Sequence, residues 1–130
     1  MNASPFISVK ARYPILFLLL AIAAACTNQP VRPSEKCTDI PATPTYAANV
    51  EPILTTYCVG CHNAAAPLAG INLEGYAAAS DYVLNNPDIF LAAIRHESPQ
   101  TSKWMPQNGP KLPRCTLLTL ERWVTTGAQP

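Results

Sequence analysis

The 130-residue chain lacks three features that would assign it to common classes of protein. It has no run of basic residues, and its nine Lys and Arg are nearly balanced by eight Asp and Glu, so we expect no nucleic-acid partner. No stretch alternates apolar and polar residues as a β-strand would. Its longest apolar run is shorter than the roughly 20 residues that a membrane-spanning helix needs. The length allows a single domain.

The longest apolar run extends from Ile15 to Ala25, near the N-terminus. Lys10 and Arg12 precede it, and small residues end it just before Cys26. A short basic region, an apolar centre and small residues at a cleavage point are typical of a signal peptide. The alanines before Cys26 resemble a bacterial lipoprotein box, whose cysteine receives lipid. We therefore predict a signal peptide over residues 1–25 and lipidation at Cys26.

Two alternatives for this segment remain open. The apolar run can persist as an uncleaved membrane anchor, or an ordinary signal peptidase can cut before Cys26 and leave it without lipid. Residues 26–36 are polar and rich in proline, which predicts a tether to a folded domain over residues 37–130. The expected location is the bacterial envelope, with the protein exported as a periplasm-facing or outer-surface lipoprotein that its lipid anchor attaches to the membrane.

Apolar residues recur at helical spacing in several segments of the predicted domain. Helices are expected over about 46–57, around 76–79, from Pro87 to about 94, and from an N-cap at Thr116 to a stop at Gly127. Residues 98–114 are rich in proline, glycine and polar residues and are predicted to form a loop. The predicted fold class is therefore all-α, with three to four helices and long loops.

The most specific feature of the sequence is the motif Cys58-x-x-Cys61-His62. This spacing is typical of covalent haem attachment. Two thiols on one helical turn can reach the two vinyl groups at one edge of a porphyrin, and the adjacent histidine can then supply a nitrogen ligand to the iron. We therefore predict one covalent haem c, bound through Cys58 and Cys61, with His62 as an axial ligand of its iron.

Two other uses of the cysteine pair have to be considered, a redox disulfide and a zinc site. A redox disulfide of the thioredoxin type should lie in a βαβ pattern, and the sequence shows none. Half of a zinc site would need further ligands at close spacing, but His96, Cys37 and Cys115 are scattered along the chain. Haem attachment is the interpretation that the motif favours.

The sixth position of the iron has three possible states, with Met105, His96 or no protein ligand. Met105 lies in a polar, proline-flanked loop, where a methionine does not serve as core filler. A thioether is a soft ligand that favours ferrous iron and raises the reduction potential. His96 follows an apolar helix face, and a surface or hydrogen-bonding role suits it better. Met105 is therefore favoured.

The segment from about Val50 to Ala128 resembles the single-haem, class I-type cytochrome c domain, and looks most like the lipoprotein-borne forms of bacterial envelopes. The resemblance is carried by Val50-Glu51-Pro52-Ile53-Leu54, Cys58-x-x-Cys61-His62, Trp104-Met105-Pro106 and Leu120-x-x-Trp123-Val124-x-x-Gly127-Ala128. One departure is Gln107, where the usual Met-Pro-Pro continues with a second proline. The resemblance implies a helical, cytochrome c-like domain around the haem, with His62 and Met105 as axial ligands.

The resemblance also bears on the remaining cysteines and on the haem-ligating histidine. In such domains a backbone carbonyl after the motif accepts the other ring N–H of that histidine, and the region of Ala66 and Pro67 fits this role. If Cys58 and Cys61 bind the haem and Cys26 is lipidated, Cys37 and Cys115 are the two that remain. In an oxidising envelope such a remaining pair suggests a disulfide. The first and last helices pack together in this family, which would bring the two close. Two buried thiols are the alternative.

Electron transfer is the function that the resemblance implies, with redox partner proteins as donor and acceptor, a monomeric state and no enzymatic activity. With both axial positions filled, no substrate could bind the iron. A haem enzyme or gas-sensing domain with a displaceable sixth ligand is one alternative. A haem-free structural lipoprotein is another.

Overall fold

The computed structural model describes residues 36–130, and this part of the chain forms four α-helices and no strand. The helices are α1 (Glu51–Tyr57), α2 (Tyr76–Asn85), α3 (Pro87–Ile94) and α4 (Arg114–Thr125). A π-helical turn, Tyr46–Val50, leads directly into α1, and 3-10 turns form at Leu68–Gly70 and Thr101–Lys103. The predicted all-α fold class is confirmed for the described residues.

The predicted signal peptide, the lipidation site Cys26 and the tether up to residue 35 lie outside the described residues. These features therefore stay predictions. None of the helices between residues 36 and 130 is both long enough and apolar enough to cross a membrane.

Prolines lie at the beginnings of α1 and α3. Pro87 occupies the first turn of α3, where the backbone N–H groups have no acceptor within the helix, so the missing N–H of proline breaks no bond. Pro52 lies where the π-helical turn, closed by the bond from the Glu51 N–H to the Tyr46 carbonyl, changes to regular α-helix. The expected helix over 46–57 is thus a π-helical turn followed by a regular α-helix. The expected start of a helix at Pro87 is confirmed.

Two details of the predicted helices are wrong. α2 continues to Asn85, well beyond the short helix expected around 76–79, because Ala79 and Val83 lie one turn apart and are both fully buried. Thr116 does not cap α4, which begins at Arg114. The N–H of Leu117 already donates to the carbonyl of Pro113 at 2.9 Å, and this bond closes a helical turn before Thr116 can act as a cap.

Gly127 ends α4, as predicted. Its φ of +89° lies in the left-handed region that glycine adopts without steric penalty. Its N–H donates to the carbonyl of Val124 at 3.2 Å, and the N–H of Ala128 donates to the carbonyl of Trp123 at 2.8 Å. This pair of bonds is the Schellman arrangement, which satisfies carbonyls that the helix end leaves open.

The core lies where α4 packs against the π-helical turn and where α3 packs against α2 and α4. Its fully buried large side chains are Val50, Leu54, Val83, Leu120 and Trp123. The indole N–H of Trp123 donates to the carbonyl oxygen of Gln129 at 2.8 Å. That same oxygen accepts the backbone N–H of Tyr46 at 2.9 Å, so one carbonyl joins the two ends of the domain.

A disulfide joins Cys37 to Cys115 across 78 residues of sequence, with a Cα–Cα distance of 5.3 Å. It attaches the segment before the first helical turn to the start of α4. Arg122 reinforces this attachment further along α4, since its Nη1 donates to the carbonyls of Ile40 and Pro41 at 3.0 Å. The pairing is the one expected from the cysteine count.

Replacing both cysteines in a Cys37→Ser, Cys115→Ser double variant should lower the free energy of unfolding by about 2–4 kcal/mol, because the unfolded chain loses a long-range crosslink. Urea unfolding, followed by circular dichroism, measures the change. Reduction of the wild-type protein is the matched control and should lower stability by the same amount. Equal unfolding midpoints for the variant and the oxidised wild type would contradict the prediction.

Candidate cofactor site

A cavity of about 670 Å³ lies between α3, the end of α1 and the loops that follow each of them. Its wall is mainly apolar, and it includes Ile71, Leu73, Phe90 and Ile94. Pockets that hold small ligands and cofactors have volumes of about 300–1,000 Å³ and apolar walls with few polar groups. The cavity therefore has the size and character of a cofactor site.

Three of the four predicted haem residues line this cavity, namely Cys58, His62 and Met105. Cys58 and His62 come from the turns after α1, whereas Met105 comes from the loop between α3 and α4. Cys61, the fourth, is exposed and does not lie on the cavity wall. Both motif cysteines carry free thiols, the state from which a bond to a porphyrin vinyl group can form.

Local hydrogen bonds shape the haem motif. The N–H of Cys58 donates to the carbonyl of Leu54 at 2.8 Å and so closes the last turn of α1. The carbonyl of Cys58 then accepts N–H groups from Cys61 at 3.1 Å and from His62 at 2.9 Å. The two cysteines and the histidine therefore share one turn, as their spacing of three and four residues predicts.

Cys58 is partly buried, and this affects the reactivity of its thiol. Burial raises the pKa of its thiol to about 11, so the thiol stays protonated at neutral pH. Catalytic and redox-active cysteines have a lowered pKa, because the thiolate is the reactive form. A raised pKa therefore argues against a redox disulfide or an activated nucleophile at this position.

His62 is buried, and its ring carries a polar atom without a partner. The side chain is 6% exposed, and Nδ1 is buried with no hydrogen bond. A buried polar atom without a partner costs about 1–3 kcal/mol. The backbone around it is well held, since the N–H of Leu73 donates to the His62 carbonyl at 2.9 Å. His62 lines the apolar cavity, so its ring lies where it could ligate a metal bound there.

The expected hydrogen bond from the His62 ring to a carbonyl near Ala66 and Pro67 is absent from the structure. Pro67 instead pairs with His62 backbone to backbone, in an isolated β-bridge. The adjacent N–H of Leu68 donates to the Cys61 carbonyl at 3.1 Å, which holds the loop against the motif's main chain. That expectation was wrong, because the loop uses its main chain to bond to the motif's main chain.

Met105 and His96, the two candidate ligands for the sixth position of the iron, occupy different places. Met105 lines the cavity, and His96 does not. The His96 Nε2 atom lies 3.1 Å from the carbonyl oxygen of Met105, and its ring stacks on Trp104 with 4.9 Å between ring centroids. The structure therefore places His96 behind the Met105 loop, with its ring already in contact with two neighbours.

The cavity also has polar residues that the sequence did not single out. Ser98, Ser102 and Lys103 line it along the segment that contains the second 3-10 turn, and Asp88 and Glu97 add two carboxyl groups elsewhere on the wall. The serine and lysine side chains can donate hydrogen bonds, and Lys103 carries a positive charge. The stretch had been predicted only as a loop, since nothing in its composition shows which side chains face inward.

Comparisons of the chain with protein-family models, with curated proteins and with solved structures gave no match. Within residues 36–130, no three His, Cys, Asp or Glu side chains group together as a site for a bare metal ion.

The buried Cys58 thiol yields a prediction for the protein produced without haem. In a Cys61→Ser variant, alkylation of Cys58 by iodoacetamide should be slow at neutral pH and accelerate as the pH approaches 11, because only the thiolate reacts. Mass spectrometry after timed quenching measures the rate.

The Cys58→Ser variant is the matched control, since it leaves the exposed Cys61 as the free thiol and should react faster at neutral pH. Unfolding in urea should remove the protection of Cys58. Equal rates for the two folded variants would show that Cys58 is not shielded.

Proposed function

We propose that this protein is an exported, single-haem c-type cytochrome that carries electrons in the bacterial cell envelope. The observation that carries the proposal is the meeting of Cys58, His62 and Met105 at one apolar cavity. A thiol, an imidazole and a thioether are the side chains that covalent attachment and two axial bonds require. Residues far apart in the sequence thus supply one complementary set of groups.

The cavity residues fit a haem in polarity as well as in ligands. A porphyrin is flat and apolar except for its two propionates. The apolar wall would cover its faces and exclude water, and Ser98, Ser102 and Lys103 could bond to the propionates. His62 would bind the iron from the turn after α1, and Met105 would approach from the other loop. Cys61 must turn its exposed side chain toward the cavity to form the second thioether bond.

A bound haem would supply reversible transfer of one electron, and the residues around it would determine whether the iron can do other chemistry. His62 and Met105 would occupy both axial positions, so neither a substrate nor oxygen would have an open site on the iron. A methionine ligand also raises the reduction potential relative to most other ligands. These features support an electron carrier that resembles class I-type cytochromes c, rather than an enzyme.

The zinc alternative has less support. Cys37 and Cys115 are joined in a disulfide and cannot provide thiolates. The ring of His96 contacts the carbonyl of Met105, and within residues 36–130 no three His, Cys, Asp or Glu side chains group together. A zinc site needs deprotonated thiolates and several ligands at one place.

Expression together with the haem-attachment machinery tests the main proposal. The purified protein should gain the mass of one haem, and a Cys58→Ala, Cys61→Ala double variant should lose the covalent attachment. Mass spectrometry under denaturing conditions distinguishes covalent from dissociable haem. A wild-type protein without added mass, with both thiols intact, would refute the assignment and leave a haem-free lipoprotein as the better interpretation.

Replacing the proposed sixth ligand tests the role as a carrier. A Met105→Ala variant should lose the sulfur-to-iron absorption band of the oxidised protein, bind carbon monoxide rapidly when reduced, and show a reduction potential lower by on the order of tenths of a volt, within the range of about 0.8 V that axial ligands span. Lys111→Ala, at an exposed position of the same loop that does not line the cavity, is the control and should change none of these.

Rapid carbon monoxide binding by the wild-type protein would contradict this role and favour the enzyme or gas-sensing alternative. An unchanged absorption spectrum in Met105→Ala would exclude Met105 as the ligand.

A further inference from the structure

The backbone of Met105 is held at both of its polar groups by the segment that ends α3. Its N–H donates to the carbonyl of Ala93 at 3.0 Å. Its carbonyl oxygen lies 3.1 Å from Nε2 of His96. Because a carbonyl can only accept, this contact requires the proton on Nε2. The main chain of Met105 is therefore held on both sides, and its side chain lines the cavity.

The ring of His96 is itself fixed by its neighbours. It stacks on Trp104 with 4.9 Å between centroids and 10° between ring planes. The indole N–H of Trp104 donates to the carbonyl of Ser98 at 2.9 Å, which fixes the stacking partner in turn. Just before His96, Nε of Arg95 donates to Glu121 at 2.6 Å and so ties the end of α3 to α4. The segment that holds the Met105 main chain is thus itself bonded to α4.

His96 lies just past the end of α3, in the left-handed conformation that commonly closes a helix. Its φ of +55° lies in the left-handed region, which a residue with a side chain rarely adopts. The N–H of Glu97 donates to the carbonyl of Ala92 at 2.9 Å, which is the second bond of a Schellman helix end. The turn allows the His96 ring to reach the back of the Met105 loop while the N–H of His96 bonds to the carbonyl of Ala93 at 3.2 Å.

We propose that His96 and Trp104 form a clamp that positions Met105 and determines how rarely its sulfur leaves the iron. This inference rests on the proposed function, because it assumes that Met105 is the sixth ligand. His96 does not line the cavity, so it acts through the Met105 main chain and is a positioning residue rather than a ligand. The clamp therefore governs access of small external ligands to the iron.

The physical reason is the weakness of a thioether as a ligand. A neutral thioether sulfur forms a weak bond to iron, so its residence depends on how well the chain holds it in place. A loop that can move backward would carry the sulfur away and open the sixth position. The His96 hydrogen bond opposes that movement directly, and the stack on Trp104 keeps the donor aimed at the carbonyl.

The test uses the haem-loaded protein and measures the rate at which carbon monoxide binds the reduced form. His96→Phe retains an aromatic ring for stacking but removes the N–H donor, and it should raise this rate about five- to tenfold, the change expected from the loss of one hydrogen bond. It should also weaken the sulfur-to-iron band. His96→Gln keeps a side-chain N–H donor and should stay within about twofold of the wild-type rate.

Two further variants make the result specific. Thr119→Ala removes a bond of similar length away from the cavity, from the Thr119 hydroxyl to the Cys115 carbonyl at 2.9 Å on α4. It should leave the carbon monoxide rate unchanged. Trp104→Leu removes the stack and should raise the rate, which keeps the proposal testable if His96→Phe fails to fold. A purely structural role would lower the melting temperature without changing the rate.

The outcomes separate this inference from the proposed function. A wild-type protein with covalent haem and a sulfur-to-iron band, together with wild-type carbon monoxide rates in both His96→Phe and Trp104→Leu, would overturn the clamp and leave the cytochrome intact. A wild-type protein without haem, or without the sulfur-to-iron band, would overturn both.

Discussion

The packing of Trp123 at the junction of the two ends of the domain is the interaction on which the rest of the structure depends. Its ring is fully buried, and its N–H shares the carbonyl of Gln129 with the backbone of Tyr46. This contact sets the position of the π-helical turn, which continues without a break into α1. Because the cysteine motif follows α1 directly, the orientation of that helix decides where Cys58 and His62 meet the cavity.

The cavity explains why a domain of this size needs other sources of stability. An apolar volume of about 670 Å³ removes contacts that a packed core would make. The Cys37–Cys115 disulfide and the bonds of Arg122 to the segment before the first turn add support on the α4 side. The proposed haem would provide the missing contacts, so the cofactor would complete the core as well as carry the electron.

Much of the fold could be predicted because its signals are local. Pro87 marks the first turn of a helix, and Gly127 marks an end, since each acts through its own backbone geometry. The expected cap at Thr116 was wrong because the helix already begins after Pro113. Its first turn forms without a hydrogen bond from a capping side chain. The hydrogen bond expected for the His62 ring depended on how two loops meet, which no local pattern specifies.

The sequence by itself determined the chemistry of the motif, since Cys58, Cys61 and His62 are close enough along the chain for hydrogen bonds within one turn to bring them together. For the sixth position of the predicted haem iron it left Met105, His96 or no protein ligand. Only the tertiary structure separated the two residues, by placing Met105 at the cavity and His96 behind it. The reason is physical: the loop between α3 and α4 has no repeating pattern, and its path is set by single bonds to Ala93, His96 and Ser98 that appear only once the chain has folded.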